Sequence, residues 1–172
     1  MRTLLKLTLT LPALLISATS APLHAQTPAA ATPTKSARLL DSLPEPVRAS
    51  VVKAANGGHA DEVKIIQSSG DSGKIYVVEI ELGDDRDLDL RVAANGEILK
   101  CTEEVALNSA PEAVRTALEK LAGTTARIED VKKVTKGQEV TWQAELDRKD
   151  APDTKIRLDA QGAVLEKTEE PD

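Results

Sequence analysis

Phenylalanine is absent from this 172-residue chain, and Trp, Tyr, Met and Cys each occur once. A surface rich in aromatic anchors, the usual centre of a tight protein interface, cannot be built from one Trp and one Tyr. A lone cysteine, Cys101, excludes an internal disulfide and leaves a buried thiol, a reactive thiol or an intermolecular bridge. Strand spacing puts Cys101 on the face of Leu99, which favours burial. Positive charge is also short: 22 Lys and Arg oppose 28 Asp and Glu, a formal net charge of −6. Without a clustered basic stripe the chain is unsuited to nucleic acid, whose phosphates need Lys and Arg, and to anionic membrane surfaces. Two histidines, His24 and His59, are too few and too isolated for a zinc site or a nucleophile–base–orienter set.

No apolar run reaches the roughly 20 residues of a bilayer span. The first 25 residues instead have the form of a secretory signal. Arg2 and Lys6 open it, Leu7 to Ile16 is mainly apolar, and Leu23-His24-Ala25 offers a small-residue cleavage site. The expectation is a periplasmic or secreted protein with no membrane insertion once residues 1–25 are removed. The start of the next stretch is small, Pro-containing and poor in large apolar groups, which reads as a flexible linker over 26–41.

The rest says nearly the same thing twice. Ser42-Leu43-Pro44-Glu45-Pro46-Val47-Arg48 returns 67 residues on as Ser109-Ala110-Pro111-Glu112-Ala113-Val114-Arg115. Tyr76-Val77-Val78-Glu79-Ile80-Glu81 returns after 66 as Trp142-Gln143-Ala144-Glu145-Leu146-Asp147, and Ala94-Asn95-Gly96-Glu97-Ile98-Leu99 as Ala160-Gln161-Gly162-Ala163-Val164-Leu165. Ser42-x-x-Glu45 and Ser109-x-x-Glu112 fit a capping box, and Val47, Val51, Ala54 and Val114, Leu118, Leu121 form apolar helix stripes behind them. The period then changes to two. Tyr76, Val78, Ile80, Leu82 and Leu88, Leu90, Val92 alternate with polar residues, as do Trp142, Ala144, Leu146 and Ile156, Leu158. Asn95-Gly96 and Gln161-Gly162 mark hairpins, and weaker strands fall at 61–67 and 127–134. The expected fold is therefore α+β: two tandem modules, 42–104 and 105–172, each a helix plus a four-stranded antiparallel sheet, free to join into one continuous curved sheet.

These motifs resemble the PepSY-like group, which includes tandem-repeat folds similar to the β-lactamase inhibitory protein. The resemblance implies a non-catalytic role in binding or inhibiting another protein, such as a secreted or envelope peptidase, and no cofactor. It also implies an aromatic-rich surface braced by disulfides, from which this chain departs. No catalytic constellation stands out, and the expectation is not an enzyme. A protein partner would meet the polar sheet face, where alternation places Glu79, Glu81, Asp87, Asp89, Arg91, Gln143, Glu145 and Arg157. The alternative is a small-ligand or calcium-binding envelope protein using the alternating carboxylates Asp85, Asp87 and Asp89. The spacing is not that of an EF-hand, because Leu90 and Gly96 stand where Gly and Glu are needed.

Overall fold

The structure, a computed structural model, describes residues 34–67, 73–83, 86–149 and 151–170. The expected signal segment lies outside them. Helix α1 (Lys35–Asp41) comes first, then α2 (Glu45–Ala55) and strands β1 (His59–Gln67), β2 (Lys74–Gly83), β3 (Arg86–Ala93) and β4 (Ile98–Glu104). A short 3-10 turn (Leu107–Ser109) leads to α3 (Glu112–Ala122), followed by β5 (Ala126–Lys136), β6 (Glu139–Arg148), β7 (Ala151–Asp159) and β8 (Val164–Glu169).

All eight strands form one antiparallel sheet in the order of the chain. This overturns the expected division into two modules with a four-stranded sheet each. The join is the β4–β5 ladder, where Cys101, Thr102, Glu103 and Glu104 face Thr135, Val134, Lys133 and Lys132. Separate modules would leave β4 and β5 with rows of unpaired N–H and C=O groups. Pairing satisfies those groups and sets two carboxylates opposite two ammonium groups. Alternation reports which face a residue occupies, not which strand lies beside it, so this neighbour relation is invisible in the sequence pattern.

Helices cover one face. Val47, Val51 and Ala55 of α2 are buried against Tyr76, Val78, Ile80, Leu88, Leu90 and Val92. Val114, Leu118 and Ala122 of α3 are buried against Trp142, Ala144, Leu146, Ile156 and Leu158. Both aromatic side chains are thus core residues, 6% and 5% exposed. The Trp142 indole N–H finds no hydrogen-bond partner among the described residues.

Two local expectations are corrected. Neither serine N-caps a helix: α2 and α3 start after Pro44 and Pro111, whose extended backbones (φ −52, ψ 144 and φ −53, ψ 146) form the caps without a side-chain hydrogen bond, while Ser42 is the C-cap of α1. A proline cap fixes φ near its helical value, so the chain enters the helix at the residue after it. Ser42 Oγ donates instead to the Leu39 carbonyl at 2.6 Å, and Ser109 Oγ to Asn108 Oδ1 at 3.4 Å. Residues 35–41, inside the expected linker, are the helix α1. Thr34 Oγ1 caps it by accepting from the Ala37 amide, and Leu39 and Leu40 pack on the first core, which gives this stretch apolar contacts that offset the entropy of ordering it.

The two hairpin glycines dock the helices as well as turning the chain. Gly96 (φ +89) and Gly162 (φ +81) each sit against the first turn of a helix, Gly96 at the Pro46 carbonyl and Gly162 at the Ala113 carbonyl. Ser50 Oγ on α2 donates to the Gly96 carbonyl at 2.6 Å.

Candidate functional site

Residues directly opposed in an antiparallel ladder share a face. The register therefore fixes where each expected binding residue lies. Glu79 faces Asp89, Glu81 faces Asp87, and Arg91 faces Val77. Gln143 faces Arg157, and Glu145 faces Lys155. Each alternates with a residue buried under a helix, so Glu79, Glu81, Asp87, Asp89, Arg91, Gln143, Glu145 and Arg157 all stand on the face that carries no helix. They form two groups, on β2–β3 and on β6–β7.

The β4–β5 join brings further residues between these groups, and sequence reasoning missed them. Thr102 pairs with both Asp89 and Val134, and Glu104 with Lys132. Lys132 in turn faces Gln143. A groove of about 240 Å³ is lined by Glu79, Asp87, Asp89, Thr102, Glu104 and Lys132. A second, of about 470 Å³, includes Lys132, Gln143, Glu145, Lys155, Arg157 and Asp130 in its walls. Lys132 borders both. Its only sequence signal is that Arg127, Lys132, Lys133 and Lys136 make this stretch locally basic, which carries no information about strand neighbours.

The electrostatics of the face are unbalanced. On β1, β2 and β3, Glu62, Glu79 and Asp89 stand side by side, and Glu81 is directly opposite Asp87. Like charges in such positions destabilise a sheet. Several cations are already engaged within the protein: Lys64 with Glu62 at 2.5 Å, Arg157 with Glu166 at 2.9 Å and Lys155 with Glu170 at 2.5 Å. Burial holds the Glu145 carboxyl above its ordinary range; Asp153, Glu170 and Asp130 push the same way, while Lys155 opposes. Asp130, which lines the second groove, has φ +48 at the bulge between Glu129 and Lys132.

Of the expected carboxylate trio, Asp85 lies outside the described residues, and Asp87 and Asp89 share the open face. Among the described residues no group of three or more His, Cys, Asp and Glu side chains is placed to hold a metal ion. Cys101 is half-buried on the helix side, paired across the ladder with Leu90 and Thr135, and burial pushes its thiol pKa up. His59 is exposed at the start of the edge strand β1.

This single sheet with one helical face and one open face recurs in solved structures. A BLIP-like protein of Bacteroides fragilis superposes with a TM-score of 0.55 at 18% identity, covering 76% of this chain and 89% of that one. A DUF2874 family protein of Bacteroides uniformis gives 0.55 at 17% identity over 73% and 88%. A candidate periplasmic protein of Bacteroides eggerthii gives 0.56 at 16% identity over 74% and 88%. At these identities the likeness is one of fold, and the fold is similar to the BLIP-like one. No family model and no curated protein matches the chain. No described helix is long and apolar enough to cross a membrane.

Proposed function

We propose that this is an exported, non-catalytic binding protein whose open sheet face takes a protein partner, and that the partner is a secreted or envelope enzyme, with a peptidase the first candidate. The observation that carries the reading is the charge arrangement on that face. Glu79 beside Asp89 in one row and Glu81 opposite Asp87 in the next are like-charge pairs that disfavour the sheet, and none of the four forms an ion pair among the described residues. Positions that violate the rules of stable folding without a structural return are where function is expected. A cationic patch on a partner would offset the repulsion and supply orientation and encounter rate.

The fold neighbours support the same reading, since one is BLIP-like and another a candidate periplasmic protein. The PepSY-like motifs add the peptidase, and the 66–67-residue repetition adds a duplicated origin for the two helix-and-strand halves. The signal-like residues 1–25 supply the export.

The test is capture from the organism's own envelope and secreted fractions, with a quadruple variant, Glu79→Lys, Glu81→Lys, Asp87→Lys and Asp89→Lys, run in parallel. A saturable protein partner that the variant no longer retains, with its circular dichroism unchanged, is the expected result. Equal retention by the folded variant would refute the open-face reading.

A further inference from the structure

Both ends of the sheet are edges, and they carry matching features. Of the six most exposed large apolar side chains among the described residues, four lie on the two edge strands: Ile65 (59%) and Ile66 (40%) on β1, Val164 (48%) and Leu165 (49%) on β8. An edge strand with exposed apolar residues and free N–H and C=O groups is a template for another strand, and proteins blunt such edges with cover, bulges, proline or charge, of which β1 and β8 carry charge of both signs. Here β8 carries a bulge at Leu165, between Glu166 opposite Arg157 and Val164 opposite Leu158, and cover is confined to the start of β1. There α1 packs beside the strand, Ser36 Oγ accepts the Ala60 amide at 2.9 Å, Lys35 pairs with Asp61 at 2.7 Å, and a bulge falls between Ala60 and Glu62. From Glu62 to Gln67, and along all six residues of β8, there is neither cover nor proline among the described residues.

Strand number decides which edge can meet which. With eight alternating strands, β1 and β8 run in opposite directions. A second copy in the same orientation, placed with its β1 beside β8, therefore continues the antiparallel pattern. One register suits both chemistry and faces over Glu62–Ile65 and Leu165–Thr168. With Lys64 opposite Glu166, Glu62 falls opposite Thr168, and all four belong to the open face, since Lys64 and Glu62 pair with Val77 and Glu79 while Glu166 and Thr168 pair with Arg157 and Lys155. The same register brings Ile65 beside Leu165 and ends at the β8 bulge, beyond which Val164 turns to the helix side opposite Leu158, and it stops short of the Ala60 amide that Ser36 occupies. Symmetric pairing of β8 with β8 has no such match: within one continuous sheet it sets Glu166 opposite itself or Lys167 opposite itself near the strand centre.

We propose that this protein associates head to tail with a second copy of itself, β8 of one chain adding to β1 of the next at Glu62–Ile65, with Lys64 opposite Glu166 setting the register by linking the Glu62–Lys64 and Glu166–Arg157 pairs of the two chains into one row of alternating charge. The contact is heterologous, so it does not close into a dimer, and successive copies extend one sheet and one open face. The paired segment is short and buries well under the ~1,600 Å² of a standard interface, so the association is weak and concentration-dependent.

Sedimentation velocity on the protein, purified as its cell processes it, tests this over about 10 µM to about 1 mM, a range suited to a small interface. The weight-average sedimentation coefficient should climb without levelling at a dimer. Ile65→Lys, at a side chain already exposed, should leave the circular dichroism unchanged and abolish the climb. Lys64→Glu and Glu166→Lys should each weaken association about fivefold, the effect of turning one exposed attraction into a repulsion, and the double variant should recover it. A single monomeric species across the range would overturn the proposal. So would loss on Glu166→Lys that Lys64→Glu fails to rescue, which would mark a β8–β8 contact instead.

Discussion

Replacing Gly96 with alanine separates two costs that the structure presents together. The first is conformational: Gly96 has φ +89, and an L side chain in the left-handed region costs about 1–2 kcal/mol. The second is steric. A Cβ on Gly96 would lie 2.6 Å from the Pro46 carbonyl oxygen, 2.9 Å from its carbon and 3.2 Å from Pro46 Cβ. These are main-chain and ring atoms in the first turn of α2, so relief requires moving the helix or the hairpin, and forced overpacking of this kind costs a further ~1–3 kcal/mol. Gly137, in the β5–β6 turn, isolates the first cost: it has φ +60 and a Cβ there meets nothing within 4 Å. Gly137→Ala should therefore lose about 1–2 kcal/mol and Gly96→Ala about 2–5 kcal/mol. For a domain of this size each kcal/mol moves Tm by about 4 °C, so the Gly96 variant should melt about 4–12 °C below the Gly137 variant by scanning calorimetry. Gly162→Ala, against the Ala113 carbonyl of α3, should behave like Gly96→Ala. Equal Tm values for the Gly96 and Gly137 variants would show that the hairpin does not press on the helix, and the docking argument would fail.

Two further predictions concern side chains. Ser42→Ala and Ser109→Ala should each stay within about 0.5 kcal/mol of the parent in urea unfolding, because neither hydroxyl N-caps a helix and the Ser42–Leu39 bond at the end of α1 is exposed; a loss of about 1 kcal/mol at Ser109 would restore the capping-box assignment there. Glu145→Gln should raise Tm slightly at neutral pH. Burial raises the folded-state carboxyl pKa, so ionisation favours the unfolded chain; the penalty is absent at pH below the ordinary carboxylate range and appears as pH rises through the folded-state value. The gain, within about 0.5 kcal/mol for a partly exposed group, should fade on acidification, and a gain that persists at pH 3 would refute that cause.

What the sequence disclosed depended on whether the determinant was local. Period-two alternation around Tyr76–Leu82 and Trp142–Leu146 was enough to put Glu79 and Gln143 on one face, because side-chain direction follows from the backbone of the strand itself. The stripes Val47–Val51 and Val114–Leu118 marked the buried helix faces for the same reason. Lys132 could not be read this way. Its place between two grooves comes from β4 lying beside β5, a relation between segments with a helix between them in the chain. The capping serines misled for a different reason: the motif Ser-x-x-Glu was present, but a proline inside it moved the helix start by two residues. Leu39 and Leu40 sat at the end of a stretch whose composition was otherwise that of a tether, and two leucines on one side of a single turn were sufficient to order it.

Joining the strands into one sheet also sets a scale. Eight strands at the ~4.8 Å spacing of a ladder span roughly 34 Å, and strands of about nine residues run roughly 30 Å, giving an open face of roughly 1,000 Å². One side of a standard protein–protein contact occupies about 800 Å². Half of this sheet would be too small a landing area for a folded enzyme; the whole of it is the right size for one, with its two grooves and Lys132 near the middle of the footprint rather than at its rim.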